Sequence, residues 1–261
     1  MLDVHPAHHA ATTRRDFFIH LATIVLGLLI AIGLEQSVEA LHRLHERHAL
    51  EAALHTEAEE NRQRAISNFD VFDDRIAWLL GLRRDIDTMI ATHGKANLPY
   101  RATQAIRPNM NRGEQLMATA VWDTMKNNDR LTLLPDNLAR SYAMDYHEIE
   151  MIAELRSDYT RALERQSAFE SRFADVDNSE SPVLSRMSSA QLEEYALLVS
   201  ATLQAVVQQR LRTVLFFGSN EGTFKHLYDI PSQIKEQAAA QRAYPLDFKA
   251  LAARSAPAPA K

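Results

Sequence analysis

At 261 residues, 46% of them apolar and 24% charged, the chain is long enough to bury a core and too apolar to stay unfolded. Its 34 acidic and 29 basic residues form no long runs that would gather nucleic acid, and the absence of cysteine removes disulfides, thiolate nucleophiles and cysteine-based zinc or iron–sulfur sites. Glycine is scarce at 7 residues while Ala, Leu, Glu and Arg are plentiful, so the expected class is all-α.

After a leader of residues 1–16, the run from Phe17 to Leu34 holds 18 residues without formal charge and as a helix extends roughly 27 Å, the thickness of a bilayer core. Only His20 and Thr23 interrupt its apolar surface, whereas a soluble core helix of this length shows a polar stripe. The reading is a transmembrane helix over 17–34. Arg14 and Arg15 precede it, and Glu35 and Glu39 follow before Arg43 and Arg47, which favours a cytoplasmic N-terminus and a periplasmic C-terminal domain. A rival reading takes Arg14-Arg15-Asp16-Phe17-Phe18 as a twin-arginine export signal cleaved after Val38-Glu39-Ala40. Both readings export the domain. Thr23, Gly27 and Ala31 recur every fourth residue and share a face on which a second membrane helix can pack closely.

The stretch Arg15-Asp16-Phe17-Phe18-Ile19-His20-Leu21-Ala22-Thr23-Ile24, with Gly27-Leu28-Leu29-Ile30-Ala31 and Leu34-Glu35-Gln36 behind it, resembles the opening of a group of uncharacterised bacterial single-pass membrane proteins. A second similar stretch runs from Ala120-Val121-Trp122-Asp123-Thr124 through Leu131, Leu133 and Leu134 to Tyr142 and Tyr146. The resemblance implies an inner-membrane anchor with a helical extramembrane domain. It brings no activity and no site residues.

No Gly or Pro falls between Leu34 and Leu80, so the membrane helix is expected to run on as a stalk and end near Gly94. Phe69, Phe72, Ile76, Leu79, Ile86 and Ile90 follow the three–four spacing of a coiled-coil-like seam, with Arg83 its one polar entry. A basic loop from His93 to Gly113 follows, then a shorter helix from about Glu114 to Asn127 with Met117, Val121 and Trp122 as its buried positions. Pro135-Asp136 opens a third helix whose stripe of Leu138, Tyr142, Tyr146, Ile149, Ile152, Tyr159 and Leu163 reads as packing rather than a stacking platform. Ser188 or Ser189 caps the next, in which Leu192, Val199, Leu203, Val206 and Phe217 align and Arg210 intrudes, requiring a carboxylate partner, a path to solvent or an interface. Gly218 and Gly222 suggest a kink, Pro231 permits one short helix, and 246–261 reads as a disordered Ala/Pro tail. Residues 35–245 are thus expected to form an elongated antiparallel helical bundle.

His42, His45, His48 and His55, with Glu51 and Glu59, line up on one side of the expected stalk; His45, His48, His55 and Glu59 are the candidate metal ligands. The same imidazoles would also make a packed seam sensitive to pH. Glu39-Ala40-Leu41-His42 is a single Glu-x-x-His, where a di-iron bundle needs two, and no His-Glu-x-x-His occurs. Asp175-Val176-Asp177 begins like a calcium loop, but Glu180 replaces the turn glycine and Arg186 the ligating Glu. The sequence therefore implies no enzyme and no cofactor; the expected role is a membrane-anchored helical interaction or scaffold protein, with a periplasmic sensory or ligand-binding bundle and a histidine-face metal-binding protein as the alternatives. It implies a lipid bilayer and, as protein partner, a second copy or another envelope protein.

Overall fold

The computed structural model describes residues 14–96, 98, 113–173 and 183–254. All regular structure among them is helical. The first helix, α1, runs unbroken from Arg14 to Ala91. It ends where His93 takes the left-handed region at φ +50 and its N–H bonds Ile90 C=O at 3.1 Å, while Gly94 N–H reaches back to Met89 C=O at 2.8 Å. The two bonds satisfy carbonyls that the helix end would otherwise orphan.

Among the described residues α1 is the one helix long and apolar enough to cross a membrane, through its N-terminal part. Ile24, Leu26, Leu28, Leu29 and Leu34 are all about 60% exposed or more, so no protein surface covers the apolar run. The chain divides into two compact units, one up to Ala52 and one from Ala53. Packing thus begins well after the apolar run, because residues 35–45 are exposed throughout.

In the second unit α1 is joined by α2 (Ala120–Asn127), α3 (Asp136–Glu170), α4 (Ser189–Phe224), α5 (Ile230–Ala243) and α6 (Phe248–Arg254). Short 3-10 turns cover Arg130–Leu133 and Val183–Arg186. The three long helices form the bundle. Pairings of Arg62 with Glu221, Phe69 with Phe217 and Asp73 with Arg210 set α4 antiparallel to α1. Ser219 with Asp145 and Tyr195 with Glu170 set α3 antiparallel to α4 in turn. Phe72, Ile76, Leu79 and Ile86 of α1 are buried to 1% exposure or less and meet Leu192, Val199 and Val206 of α4 in one cluster. Each such side chain contributes on the order of 2 kcal/mol of burial. Of the anticipated seam only Arg83 and Ile90 remain partly exposed, and Arg83 pairs with Asp87 at 2.8 Å.

Helix starts follow local chemistry. Ser188 and Gln191 form a reciprocal capping box on α4, and Asp229 accepts from Ser232 N–H at 2.9 Å to cap α5, whose first turn carries Pro231.

Three expectations are revised. The helix expected from Glu114 starts only at Ala120, because side chains of α1 take the backbone groups of the preceding segment. The interruption suggested at Gly218 and Gly222 does not break the helix: α4 continues to Phe224, and the glycines admit α5. A Cβ on Gly218 would lie 2.5 Å from Gln237 Cα, whereas one on Gly222 would meet Gln233 Cγ at 3.4 Å. The presumed disordered tail from 246 contains α6, whose Leu251 is 5% exposed within the core cluster. Leader residues 1–13, most of the basic loop, residues 175–180 of the calcium-like stretch and residues 255–261 lie outside the described residues, whereas leader residues 14–16 already belong to α1.

Candidate functional site

Residues 113–119, outside any helix, lie along α1 and are held there by two asparagines. Asn68 Nδ2 donates to Gln115 C=O at 2.9 Å and its Oδ1 accepts from Gln115 N–H at 2.8 Å. Asn61 repeats the pattern on Ala118, at 2.7 and 2.6 Å. The spacing explains the match: seven helical residues rise about 10.5 Å, and three residues of extended chain cover about 10 Å. Each carboxamide thereby acts as the neighbouring strand that this segment lacks. Arg64 adds a bond to Leu116 C=O at 3.1 Å.

At the end of this strap the buried carboxylate of Glu57 accepts from Val121 N–H at 2.9 Å and Trp122 N–H at 3.3 Å, and from the Tyr146 hydroxyl. A residue of α1 thus caps the first turn of α2, where the helix dipole favours negative charge. The Trp122 indole stacks on Tyr146 with centroids 4.8 Å apart and planes 4° from parallel. Burial and the adjacent Glu57 carboxylate push the Tyr146 phenol above its ordinary pKa, so it stays a donor. Trp122 is the anchor expected of it, and Tyr146 is packing.

Between the strap and α3 opens a groove of about 870 Å³. Met117, Trp122, Ile149 and Ile152 give it an apolar floor, and Asp123, Arg156, Arg161 and Glu164 stand around it. Glu114 at one end is held by Arg75 at 3.3 Å, Arg156 at 3.7 Å and Gln209. The groove's hydroxyls are turned away from chemistry: Ser157 donates to Ala153 C=O and Thr160 to Arg156 C=O. Its lining contains no histidine. Such a surface can hold an amphipathic segment.

A second polar cluster is sealed inside the α3–α4–α5 junction. Asp145, 2% exposed, accepts from Ser219 at 2.6 Å, Thr223 at 2.9 Å and Asn220 at 3.4 Å. Ser141 links Thr223 at 2.7 Å to Gln233 of α5 at 2.6 Å. Burial raises the Asp145 pKa to about 7 against the opposing pull of these hydrogen bonds. On the same helix burial also raises Glu148, partly offset by Arg212 at 3.0 Å. Arg210, which interrupts an apolar stripe in sequence, reaches Asp73 at 2.8 Å and Tyr244 C=O at 2.9 Å, ending α5 beneath the Phe69 ring.

The histidine face does not converge. His45, His48, His55 and Glu59 point to one side of α1, but fourteen residues of helix spread them over about 21 Å, beyond the reach of one ion. Among the described residues no three His, Cys, Asp or Glu side chains gather in a metal-holding group. His45 Nδ1 lies 3.0 Å from Leu41 C=O, the His55 ring packs on Phe224 at 4.6 Å, and Glu59 meets Arg62 at 3.6 Å. His48 is exposed. On the apolar run Thr23 returns its hydroxyl to Ile19 C=O at 2.9 Å, and a Cβ on Gly27 would meet nothing within 4 Å. Thr23, Gly27 and Ala31 are thus an uncovered face. Protein-family models, curated proteins and solved structures all return no match to this chain.

Residue-type logic missed Asn61, Asn68, Glu57 and Asp145. Asn61 and Asn68 did carry one usable signal, a polar heptad pair beside an apolar seam.

Proposed function

We propose that this chain is a non-enzymatic, membrane-anchored interaction protein of a bacterial envelope, spanning the inner membrane once at 17–34 and presenting its helical bundle in the periplasm. One observation carries the reading: an uncharged run of bilayer length, exposed along its whole surface, continues without a break into a packed helical unit. In water that surface has no stable resting place; in a bilayer it needs no protein cover. The resemblance of the opening to single-pass bacterial membrane proteins points the same way. Arg14 and Arg15 before the run and Glu35 and Glu39 after it favour a cytoplasmic N-terminus. Continuity of α1 through Ala40 favours an anchor over a cleaved signal. The bared face of Thr23, Gly27 and Ala31 suits pairing with another membrane helix, and the open groove suits a contact surface rather than a reaction.

Because the chain lacks cysteine, single cysteines at exposed Ser67 and Ser171 report sidedness directly. Labelling by a membrane-impermeant maleimide in intact cells, on a full-length membrane-bound product, is the expected result. A shortened soluble product would overturn the anchor, and protection until lysis would overturn the orientation.

A further inference from the structure

The outward side of α4 differs in kind from that of α3. Along α3 the exposed residues include Glu150, Glu154, Arg156, Asp158, Arg161, Glu164 and Arg165, interspersed with Ala153, Ser157 and Thr160, the ordinary charged and polar coat of a solvated helix. Along α4 no charged residue occurs from Tyr195 to Gln209, in a chain that is 24% charged. Burial accounts for the inner half of that stretch only. Its outer positions, Leu197, Ala201, Gln204, Gln208 and Leu211, are exposed, Leu197 to 72%. Spacings of four and three keep them on one stripe through four helical turns.

From this stripe we infer that α4 is the surface through which two copies of this chain pair. The inference rests on the anchored-interaction reading for the concentration that drives it. Self-pairing is favoured over a foreign partner by the symmetry of the stripe. Leu197 and Leu211 each stand seven residues from Gln204, so a two-fold contact centred on Gln204 sets leucine opposite leucine whether the helices run parallel or antiparallel. A carboxamide carries both donors and an acceptor, so Gln204 satisfies its own copy, as a lysine or glutamate there would not. The area fits an assisted contact. A stripe about 22 Å long and 10 Å wide has a footprint of roughly 220 Å² on each partner, about 440 Å² over both, well below the 1,200 Å² or more of free-standing complexes. Confinement to one membrane raises effective concentration and makes a contact of that size sufficient.

The test uses the full-length chain in native membranes. Helices packed about 8–10 Å apart bring facing Cα atoms into the roughly 4.4–6.8 Å range of a disulfide. Under mild oxidation Q204C is expected to form mostly covalent homodimer, while E154C, on the charged face of α3 and outside the groove, stays monomeric. Adding L197E and L211E to Q204C sets like charges across the contact and lowers the dimer yield by at least about tenfold. All four positions are exposed, and unchanged helical circular dichroism checks that each variant folds. A Q204C protein that stays in the membrane fraction yet crosslinks no better than E154C refutes the pairing and leaves the anchor standing. A yield indifferent to the glutamates also refutes it. Recovery of the protein as a soluble, shortened product refutes the anchor instead, and crosslinking of that product then decides the face by itself.

Discussion

Asp145 ties the stability of the bundle to pH in a direction opposite to that of most carboxylates. Its pKa rises from 3.8 to about 7 on folding, chiefly because the α3–α4–α5 junction strips water from it. The folded state therefore holds this proton more tightly than the unfolded chain does. The contribution is complete below the unfolded pKa and is lost as pH rises through the folded value. About three pKa units at about 1.4 kcal/mol each make the whole effect roughly 4 kcal/mol. Between pH 5 and pH 8 the linkage relation leaves roughly 2–3 kcal/mol of that change. Urea unfolding of the full-length protein in detergent, followed by helical circular dichroism at pH 5, 6, 7 and 8, measures it against Asp145→Asn. Asparagine keeps one acceptor oxygen where the carboxylate has two, for Ser219 and for Thr223, a loss that is the same at every pH, and it has no proton to lose, so this loss and the groups common to both proteins drop out of the pH dependence. The wild type should lose about 2–3 kcal/mol relative to the variant across this range. Parallel pH profiles would refute the reasoning, as would a wild type that gains stability relative to the variant as pH rises.

The two glycines of α4 should separate cleanly. Gly218→Ala drives a methyl into the α5 backbone at 2.5 Å and should cost about 1–3 kcal/mol in urea unfolding, whereas Gly222→Ala, meeting a flexible glutamine at 3.4 Å, should be neutral or stabilising by up to about 1 kcal/mol. Arg210→Met strands Asp73 and the Tyr244 carbonyl at the end of α5 and should cost about 3 kcal/mol, with Asp73→Asn recovering part of it in the double variant. Asn61→Ala removes both bonds to Ala118 and Asn68→Ala both bonds to Gln115; each should cost about 1–3 kcal/mol and speed proteolysis between Gly113 and Thr119, while cleavage within α3 stays unchanged.

The apolar half of this fold was legible because period and burial are the same fact on a helix. Phe72, Ile76, Leu79 and Ile86 recur at three and four, and all four are sealed in the core. Pro135-Asp136, Ser188 and Pro231 marked helix starts because each either satisfies or dispenses with an N–H that a helix start leaves free. Glycine was ambiguous. Gly218 and Gly222 signal a kink when the backbone is considered alone and a close crossing once a partner helix is present, and only tertiary structure supplies that partner. The same holds for α6, a seven-residue helix too short to stand by itself, whose Leu251 is fixed by the core cluster it enters.

The strap and the polar junction were hidden for a related reason. A segment that pairs with its own chain announces itself by periodicity, but Gln115 and Ala118 pair with side chains more than forty residues away, and nothing local distinguishes them from a helical start. Asn61 and Asn68 in turn look like surface polar residues until the matching rise of helix and extended chain is considered. Asp145 is harder still. Its burial depends on Ser219, Asn220 and Thr223 on one helix and, through Ser141, on Gln233 on another, so no one stretch of sequence contains its environment. Removing one member of such a network leaves others buried and unsatisfied, which makes this junction the place where α3, α4 and α5 are most strongly committed to one arrangement. The outer stripe of α4 represents the opposite case. Its lack of charge from Tyr195 to Gln209 is plain in the sequence, but half of it is explained by burial, and only the exposed half, Leu197 to Leu211, demands a partner. Separating those two halves is what turns an apolar helix into a candidate interface.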